Sequence, residues 1–130
     1  MQTRKQLSFF LENKPGTLAK VCDSLSQAGI NIIGFSVSDA VDHAVIRIIV
    51  NDEQKAIHLL GNSGLLVIES DVLEVAIPNH PGALQELAEK LSRANINIHY
   101  AYGTSGSNTP EAILYMRVSD IENARKILSV

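Results

Sequence analysis

The stretch Glu12–Lys20, ENKPGTLAK, marks a change from an alternating apolar pattern to a helical one. Before it, over residues 7–11, apolar residues alternate with more polar neighbours, which is the period of a half-buried strand. After it, apolar residues follow the i, i+3, i+4, i+7 spacing of one helix face, from about Pro15 to Ala28. The stretch is therefore predicted to be a corner between a strand and a helix, with Pro15 at the first helical position.

The same corner returns later in the chain as PNHPGALQE, residues 78–86. The similarity continues through the following helix and strand at a shift of 66 and resumes near the next helix at a shift of 68. The matched residues include Asn13 and Asn79, Pro15 and Pro81, Gly16 and Gly82, Asn31 and Asn97, Ala44 and Ala112, and Asp52 and Asp120. The chain is therefore a duplicated unit.

The first unit is predicted to have the element order βαββαβ. Its first helix ends at Gly29, and the segments INIIGFSVS and AVIRIIV form a hairpin that is joined by DAVDH. Asp52 caps a second, short helix, and LLVIE, residues 65–69, forms the last strand. This order predicts an α+β fold, a ferredoxin-like sandwich with antiparallel sheets and the helices on one face, present twice.

The predicted boundary divides the chain into residues 1–70 and 71–130, with almost no linker at Glu69-Ser70-Asp71. The second unit repeats the order but ends after the helix that starts at Asp120, so it lacks an evident final strand. An open sheet edge invites pairing. We therefore expect either that the natural protein is longer or that a partner completes this edge.

Composition restricts the class of protein. The chain has 130 residues, is 45% hydrophobic and has a net charge of -3, which is typical of a compact folded protein. It has 11 basic and 14 acidic residues and no basic run, which argues against a nucleic-acid surface. No apolar stretch approaches the roughly 18–20 residues that span a bilayer, and the N-terminus lacks a secretion signal. The expected location is cytoplasmic, and the single cysteine fits a reducing compartment.

The residues that could support catalysis are scattered. Cys22 lies on the apolar helix face, which is typical of an inert core thiol rather than a nucleophile. The four histidines, His43, His58, His80 and His99, lack the spacing of a metal site. No nucleophile, base and orienting residue form a set. The protein is therefore not expected to be an enzyme, and neither a metal nor a cofactor is expected.

The corner itself has the chemistry of a binding site for a small anion. A helix start presents free backbone N–H groups and the positive end of the helix dipole, and Gly16 allows close approach. Asn13 and Asn31 each bring an amide that both donates and accepts hydrogen bonds. Asn13 and Asn79 also fit a structural role as turn or N-cap residues. Whether Asn13 and Asn31 lie at the same end of a unit stays open at this point.

Two segments carry a resemblance to a known family: FLENKPGTLAKVCDSLSQAGINI and VAIPNHPGALQELAEKLSRANINI. Within a duplication that covers nearly the whole chain, they resemble tandem ACT-domain proteins. The resemblance implies two βαββαβ regulatory modules that bind small effectors, most often free amino acids, where paired domains meet. It also implies that binding changes the activity of an enzyme. Leu11 and Ile77 depart from members that carry a polar residue such as His at that position, which leaves the effector's identity open.

The resemblance further implies two ligand sites, in which backbone amides at the helix start hold a carboxylate and the asparagines orient an amino group. The first site comprises Asn13, Gly16, Thr17, Leu18 and Asn31, and the second comprises Asn79, Gly82, Ala83, Leu84 and Asn97. We expect a regulatory protein or subunit that forms a homodimer and binds a free amino acid or similar small carboxylate. A biosynthetic enzyme is the candidate partner. The alternative is an oligomerisation or interaction module that binds no ligand.

Overall fold

The computed structural model describes residues 1–104 and 106–129; Ser105, in the predicted second hairpin, and Val130, the predicted end of the second unit, lie outside the described residues. The described part contains six strands and four helices. In chain order they are β1 Gln2–Glu12, α1 Thr17–Gln27, β2 Ile32–Ala40, β3 His43–Val50, α2 Glu53–Asn62, β4 Ile68–Pro78, α3 Ala83–Arg93, β5 Ile98–Thr104, β6 Glu111–Val118 and α4 Ile121–Leu128. None of these described helices has the length and apolar character needed to cross a membrane.

These elements form two compact units. One contains Lys5–Ser70, and the other contains Met1–Arg4 together with the chain from Asp71 onward. The strand order is β2-β3-β1 in the first unit and β4-β6-β5 in the second, and neighbouring strands are antiparallel. The predicted α+β class with antiparallel sheets is confirmed.

The core of the first unit lies between one face of its sheet and both of its helices. Leu7 pairs with Ile48 across β1 and β3, and both side chains are buried on that face. Leu25 of α1 and Leu60 of α2 belong to the same buried cluster. Because both helices bury their apolar stripes there, the predicted placement of the helices on one face is confirmed.

The second unit repeats this arrangement. Leu73 of β4 pairs with Met116 of β6, and both are fully buried. Leu91 of α3 and Ala124 of α4 pack in the same cluster. The two repeats therefore build equivalent cores from equivalent positions.

The structure corrects the prediction at the junction of the repeats. The predicted strand over residues 65–69 and the linker at Glu69-Ser70-Asp71 are wrong, because β4 runs without interruption through Ile68–Pro78. The linker contains neither Gly nor Pro, so nothing in it breaks a strand. Leu65 and Val67 lie before the strand and pack against the first core.

Each unit contains the first residues of the other repeat's leading strand. Met1–Arg4, which include the start of β1, belong to the unit of the second repeat. Ile68–Ser70, the start of β4, belong to the unit of the first repeat. The division into residues 1–70 and 71–130 stays a prediction.

The helix ends follow local signals in the sequence. Gly29 after α1 has φ 74°, and Asn95 at the equivalent position after α3 has φ 58°. Glycine adopts this left-handed conformation without steric cost, and asparagine tolerates it best among the other residues. Asp52 and Asp120 each accept a hydrogen bond from the backbone N–H three residues later, at 3.1 Å. The predicted stop at Gly29 and the predicted cap at Asp52 are confirmed.

Candidate functional site

The first corner enters α1 through a left-handed glycine. Gly16 is the N-cap residue, with φ 93° and ψ -16°, and α1 begins at Thr17. The predictions that Pro15 is the first helical residue and that Asn13 could be an N-cap are therefore wrong. A Cβ added to Gly16 would meet no atom within 4 Å, so the requirement for glycine comes from the positive φ itself.

Short contacts fix the backbone of this corner. The Thr17 hydroxyl lies 2.8 Å from the carbonyl oxygen of Glu12 and 3.2 Å from that of Lys14, and it donates to them. The Lys14 ammonium lies 3.0 Å from the Glu12 carboxylate. The hydrogen bond and the charge of Lys14 lower the pKa of Glu12. The charge of Lys14 is therefore already paired within the corner.

Asn13 ties the corner to the β2–β3 hairpin. Its side-chain amide donates to the carboxylate of Asp39 at 2.6 Å, and its backbone N–H donates to the carbonyl of Asp42 at 3.2 Å. Asn13 therefore has a structural role, because it holds the corner to the hairpin. The side chain keeps its carbonyl oxygen as a further acceptor.

The second corner is built in the same way with different partners. Gly82 is the N-cap residue of α3, with φ 91° and ψ -12°. The side-chain amide of Asn79 donates to the carbonyls of Thr109 and Gly106, at 2.8 and 3.1 Å. Its backbone N–H donates to the carbonyl of Pro110 at 3.0 Å. Both corners are therefore anchored to a hairpin connection, the first through a carboxylate and the second through carbonyls.

Both helix starts lack a side-chain cap, since glycine occupies each N-cap position. The first N–H groups of a helix have no intrahelical partner, and the helix dipole makes this end positive. Leu18 and Leu84, in the first turns, are 37% and 58% exposed. Each start therefore combines backbone donors for an anion with an apolar side chain next to them.

Asn31 and Asn97 lie at the opposite end of their units from the corners. The backbone N–H of Asn31 donates to the side chain of Asn51 just after β3, at 2.9 Å. Asn97 is held in the same way by the hydroxyl of Ser119, also at 2.9 Å. The hairpin that holds Asn13 is one strand length away, about 25 Å for eight residues. Within a unit the structure therefore does not bring Asn13 and Asn31 together.

A family model described as an ACT domain pair matches residues 2–130, which is nearly the whole chain. The chain belongs to the ACT domain pair family. The resemblance predicted from the two corner segments, and the duplicated ferredoxin-like fold that it implies, are confirmed.

Solved structures agree with this assignment. Protein BT0572 from Bacteroides thetaiotaomicron is 32% identical, with a TM-score of 0.92, over 98% of this chain and 87% of that one. The ligand-free regulatory subunit of aspartate kinase from Thermus thermophilus is 16% identical, with a TM-score of 0.73, over 97% and 90%. The regulatory subunit from Thermus flavus is also 16% identical, with a TM-score of 0.71, over 99% and 90%. The two Thermus proteins show likeness of fold alone. Among curated protein sequences, none matches this chain significantly.

The residues weighed as catalytic candidates belong to different segments of the ACT domain pair. Cys22 is a free thiol, half-buried on α1. His80 lies in the second corner, with its Nδ1 3.0 Å from the carbonyl oxygen of Pro81. Over the part of the chain that the structure describes, no three His, Cys, Asp or Glu residues are grouped so that they could hold a metal ion.

A polar cluster around the carboxylate of Glu74, in the second unit of the ACT domain pair, was not predicted from the sequence. Glu74 of β4 accepts a hydrogen bond from Gln2 at 2.6 Å, and it lies 3.4 Å from Arg4 as an ion pair without hydrogen-bond geometry. Burial opposes its ionisation, but hydrogen bonds from Gln2 and Tyr115 and the charge of Arg4 outweigh burial, so its pKa is lowered. Burial, together with the nearby Glu74, raises the pKa of Tyr115.

This lowered pKa predicts a loss of stability in acid. The ionised form of Glu74 is favoured in the folded state, so its contribution is present above the usual carboxyl value of 4.5 and is lost as the pH falls through the lower folded pKa. Urea unfolding at pH 6 and pH 3.5 should show a larger drop in the free energy of unfolding for the unmodified protein than for Glu74→Gln. Glu69→Gln, an exposed carboxylate of the same strand, is the control. Equal drops for all three proteins would contradict the prediction.

Proposed function

We propose that this ACT domain pair is a regulatory protein, free-standing or a subunit, that binds free amino acids or similar small carboxylates at its two corners. The observation that carries the proposal is the duplicated, uncapped helix start after Gly16 and Gly82. A helix N-terminus attracts anions, and a carboxylate is the anion that every free amino acid has. Membership of the family supports the regulatory role.

The ligand carboxylate lies on the backbone N–H groups of Thr17 and Leu18 in the first corner, and on those of Ala83 and Leu84 in the second. In this proposal the side-chain oxygen of Asn13, or of Asn79 in the second corner, accepts a hydrogen bond from the amino group of the ligand. Asn31 and Asn97 complete the sites only when a different copy of the repeat supplies them, since each lies about one strand length from the corner of its own unit.

Ligand binding acts by changing the quaternary state of the protein. A ligand shifts an equilibrium between two states only by its difference in affinity for them. We propose a homodimer in the cytoplasm as the assembly that responds. A biosynthetic enzyme is the proposed target, as the resemblance to tandem ACT-domain proteins implies. The protein itself carries out no catalysis in this proposal.

A thermal-shift screen against the twenty amino acids, each at about 10 mM, tests this function. A ligand at 100 times its dissociation constant adds about 2.7 kcal/mol, which is a rise of several degrees in Tm for a chain of this size. We expect a selective rise that is lost in Asn13→Ala or Asn79→Ala. The variant in which the rise in Tm is lost identifies the corner that the ligand occupies.

Asp39→Ala is the matched control, because it removes the hydrogen bond that Asn13 makes to the hairpin but keeps the Asn13 amide. A rise in Tm that is retained in Asp39→Ala but lost in Asn13→Ala would show that the Asn13 amide contacts the ligand. Loss in both variants would assign Asn13 to structure alone. A flat screen with all proteins folded would contradict ligand binding.

One observation favours the alternative of an assembly module. Phe35 and Val37 of β2 are 64% and 46% exposed. Within the first unit, β2 is an edge strand. The equivalent residues of the second repeat are Ala101 and Gly103, so the fold itself does not require large apolar side chains there. A flat screen together with a stable dimer in sedimentation would favour this alternative, and a monomer at all concentrations would exclude it.

A further inference from the structure

Each unit has a cleft between its first helix, the end of its leading strand and the end of its second helix. The cleft of the first unit has a volume of about 930 Å³, and that of the second has about 250 Å³. Equivalent residues line both. They are Leu11, Lys20, Val21, Ser24 and Leu60 in the first cleft and Ile77, Glu86, Leu87, Lys90 and Leu128 in the second. The duplication has therefore produced one cleft of ligand size and one that is much smaller.

The two clefts differ in charge at three equivalent lining positions, because Glu86, Lys90 and Pro78 of the second cleft correspond to Lys20, Ser24 and Glu12 of the first. Lys20 lines the first cleft, and Glu86 occupies the equivalent position in the second. Lys14 also lines the first cleft, but its ammonium is paired with Glu12. Among residues 1–104 and 106–129, no hydrogen bond or ion pair engages the Lys20 ammonium. Lys20 is therefore the cation of the first cleft that is open to a ligand.

The remaining wall of the first cleft includes the Glu12 carboxylate, which is paired with Lys14, and the side chains of Thr17 and His43 beside an aliphatic surface. Leu11, Val21 and Leu60 contribute aliphatic side chains. The hydroxyls of Ser24 and Ser63 also line it, but they donate to backbone carbonyls of their own helices at 3.2 and 3.1 Å. The cleft therefore offers one free positive charge beside an aliphatic surface, a combination that selects an anion with an apolar group.

We propose that this cleft, named the Lys20 cleft, binds a small organic carboxylate that carries an apolar chain or ring, with Lys20 contacting the carboxylate. The inference rests on the proposed function and names its ligand class: the apolar part is selected, and an α-amino group is not required. The equivalent cleft of the second unit does not bind this ligand in our proposal, because it is much smaller and because Glu86 there offsets the positive charge of Lys90. The two repeats are then unequal in ligand binding.

Titration of the full chain with 4-methylpentanoate and with phenylacetate tests this inference, since neither probe has an amino group. Calorimetry gives the dissociation constant, and backbone amide shifts in NMR spectra locate the site. We expect saturable shifts at Val21, Ser24 and Leu60 and none at Leu87 and Lys90. The same probes at a second site of similar affinity would overturn the claim that the repeats are unequal.

Lys20→Glu, which copies the residue of the second repeat, should weaken binding of these probes by about tenfold or more, because a charge-assisted contact is lost. Lys20→Gln removes the charge without reversing it and should also weaken binding. Lys90→Glu, a lysine of the other cleft, is the matched control and should leave the dissociation constant unchanged. Lys20 is exposed, so both variants should retain the circular dichroism spectrum of the unmodified protein.

Absence of binding by both probes, or binding unchanged in both Lys20 variants, would overturn the inference. The two proposals fail separately. An amino acid that binds through Asn13 but not through Lys20 overturns the Lys20 cleft and leaves the proposed function standing. Binding of the probes through Lys20 with a flat amino-acid screen supports the cleft and overturns amino-acid sensing.

Discussion

Phe9→Ala is expected to lower the free energy of unfolding by about 3–5 kcal/mol, because it empties a site at the centre of the first core. Phe9 is 1% exposed and belongs to the cluster that joins the sheet to both helices. Phe10, its neighbour on β1, is 47% exposed. Phe10→Ala removes the same atoms from a half-solvated position and should cost only about 1 kcal/mol.

Urea unfolding followed by circular dichroism measures both changes at one pH and temperature. The adjacent phenylalanines form a matched pair, since the strand and the residue type are the same. Similar losses in the two variants would show that the alternation of buried and exposed positions along β1 is wrong. That alternation, over residues 7–11, is the basis on which a half-buried strand was predicted before the first corner.

Gly103→Ala is the second change with a large expected effect. A Cβ at this position of β5 would collide with the backbone carbonyl oxygen of Ile113 on the neighbouring strand, and it would lie 2.6 Å from a methyl carbon of Leu114. Backbone atoms within a paired strand cannot move aside without breaking the ladder. The expected loss in the free energy of unfolding is therefore about 3 kcal/mol or more.

Val37→Ala is the control for this prediction, because Val37 occupies the equivalent position in the first repeat and is 46% exposed. It should change the free energy of unfolding by less than about 1 kcal/mol. A Gly103→Ala protein as stable as the unmodified one would mean that β5 and β6 lie further apart than described.

The sequence predicted those parts of the fold that depend on local periodicity and turn chemistry. The alternation before Glu12, the helical spacing after Gly16 and the stop at Gly29 each follow from a few neighbouring residues. The start of β4 could not be predicted in this way. Residues 65–71 have no Gly or Pro, and strand membership depends on which distant segment pairs with them.

Of the candidate site, only the backbone features could be predicted from the sequence. The glycine and the helix start of each corner are local features, but the carboxylate that holds Asn13 belongs to Asp39, 26 residues away on a hairpin. Nothing in the sequence near Asn13 indicates that partner. Lys20 is different, because comparison of the two repeats shows Glu86 at the equivalent position. Only the structure places that lysine on a cleft.

Each unit contains the first residues of the other repeat's leading strand, so cutting or recombining the chain at the repeat boundary separates residues that contact each other. A fragment that ends at Ser70 keeps Gln2 and Arg4 but loses Glu74, which they contact. The complementary fragment keeps a partly buried carboxylate without its cation. Dividing the chain at the repeat boundary therefore removes the hydrogen bond and the ion pair of Glu74 from both fragments.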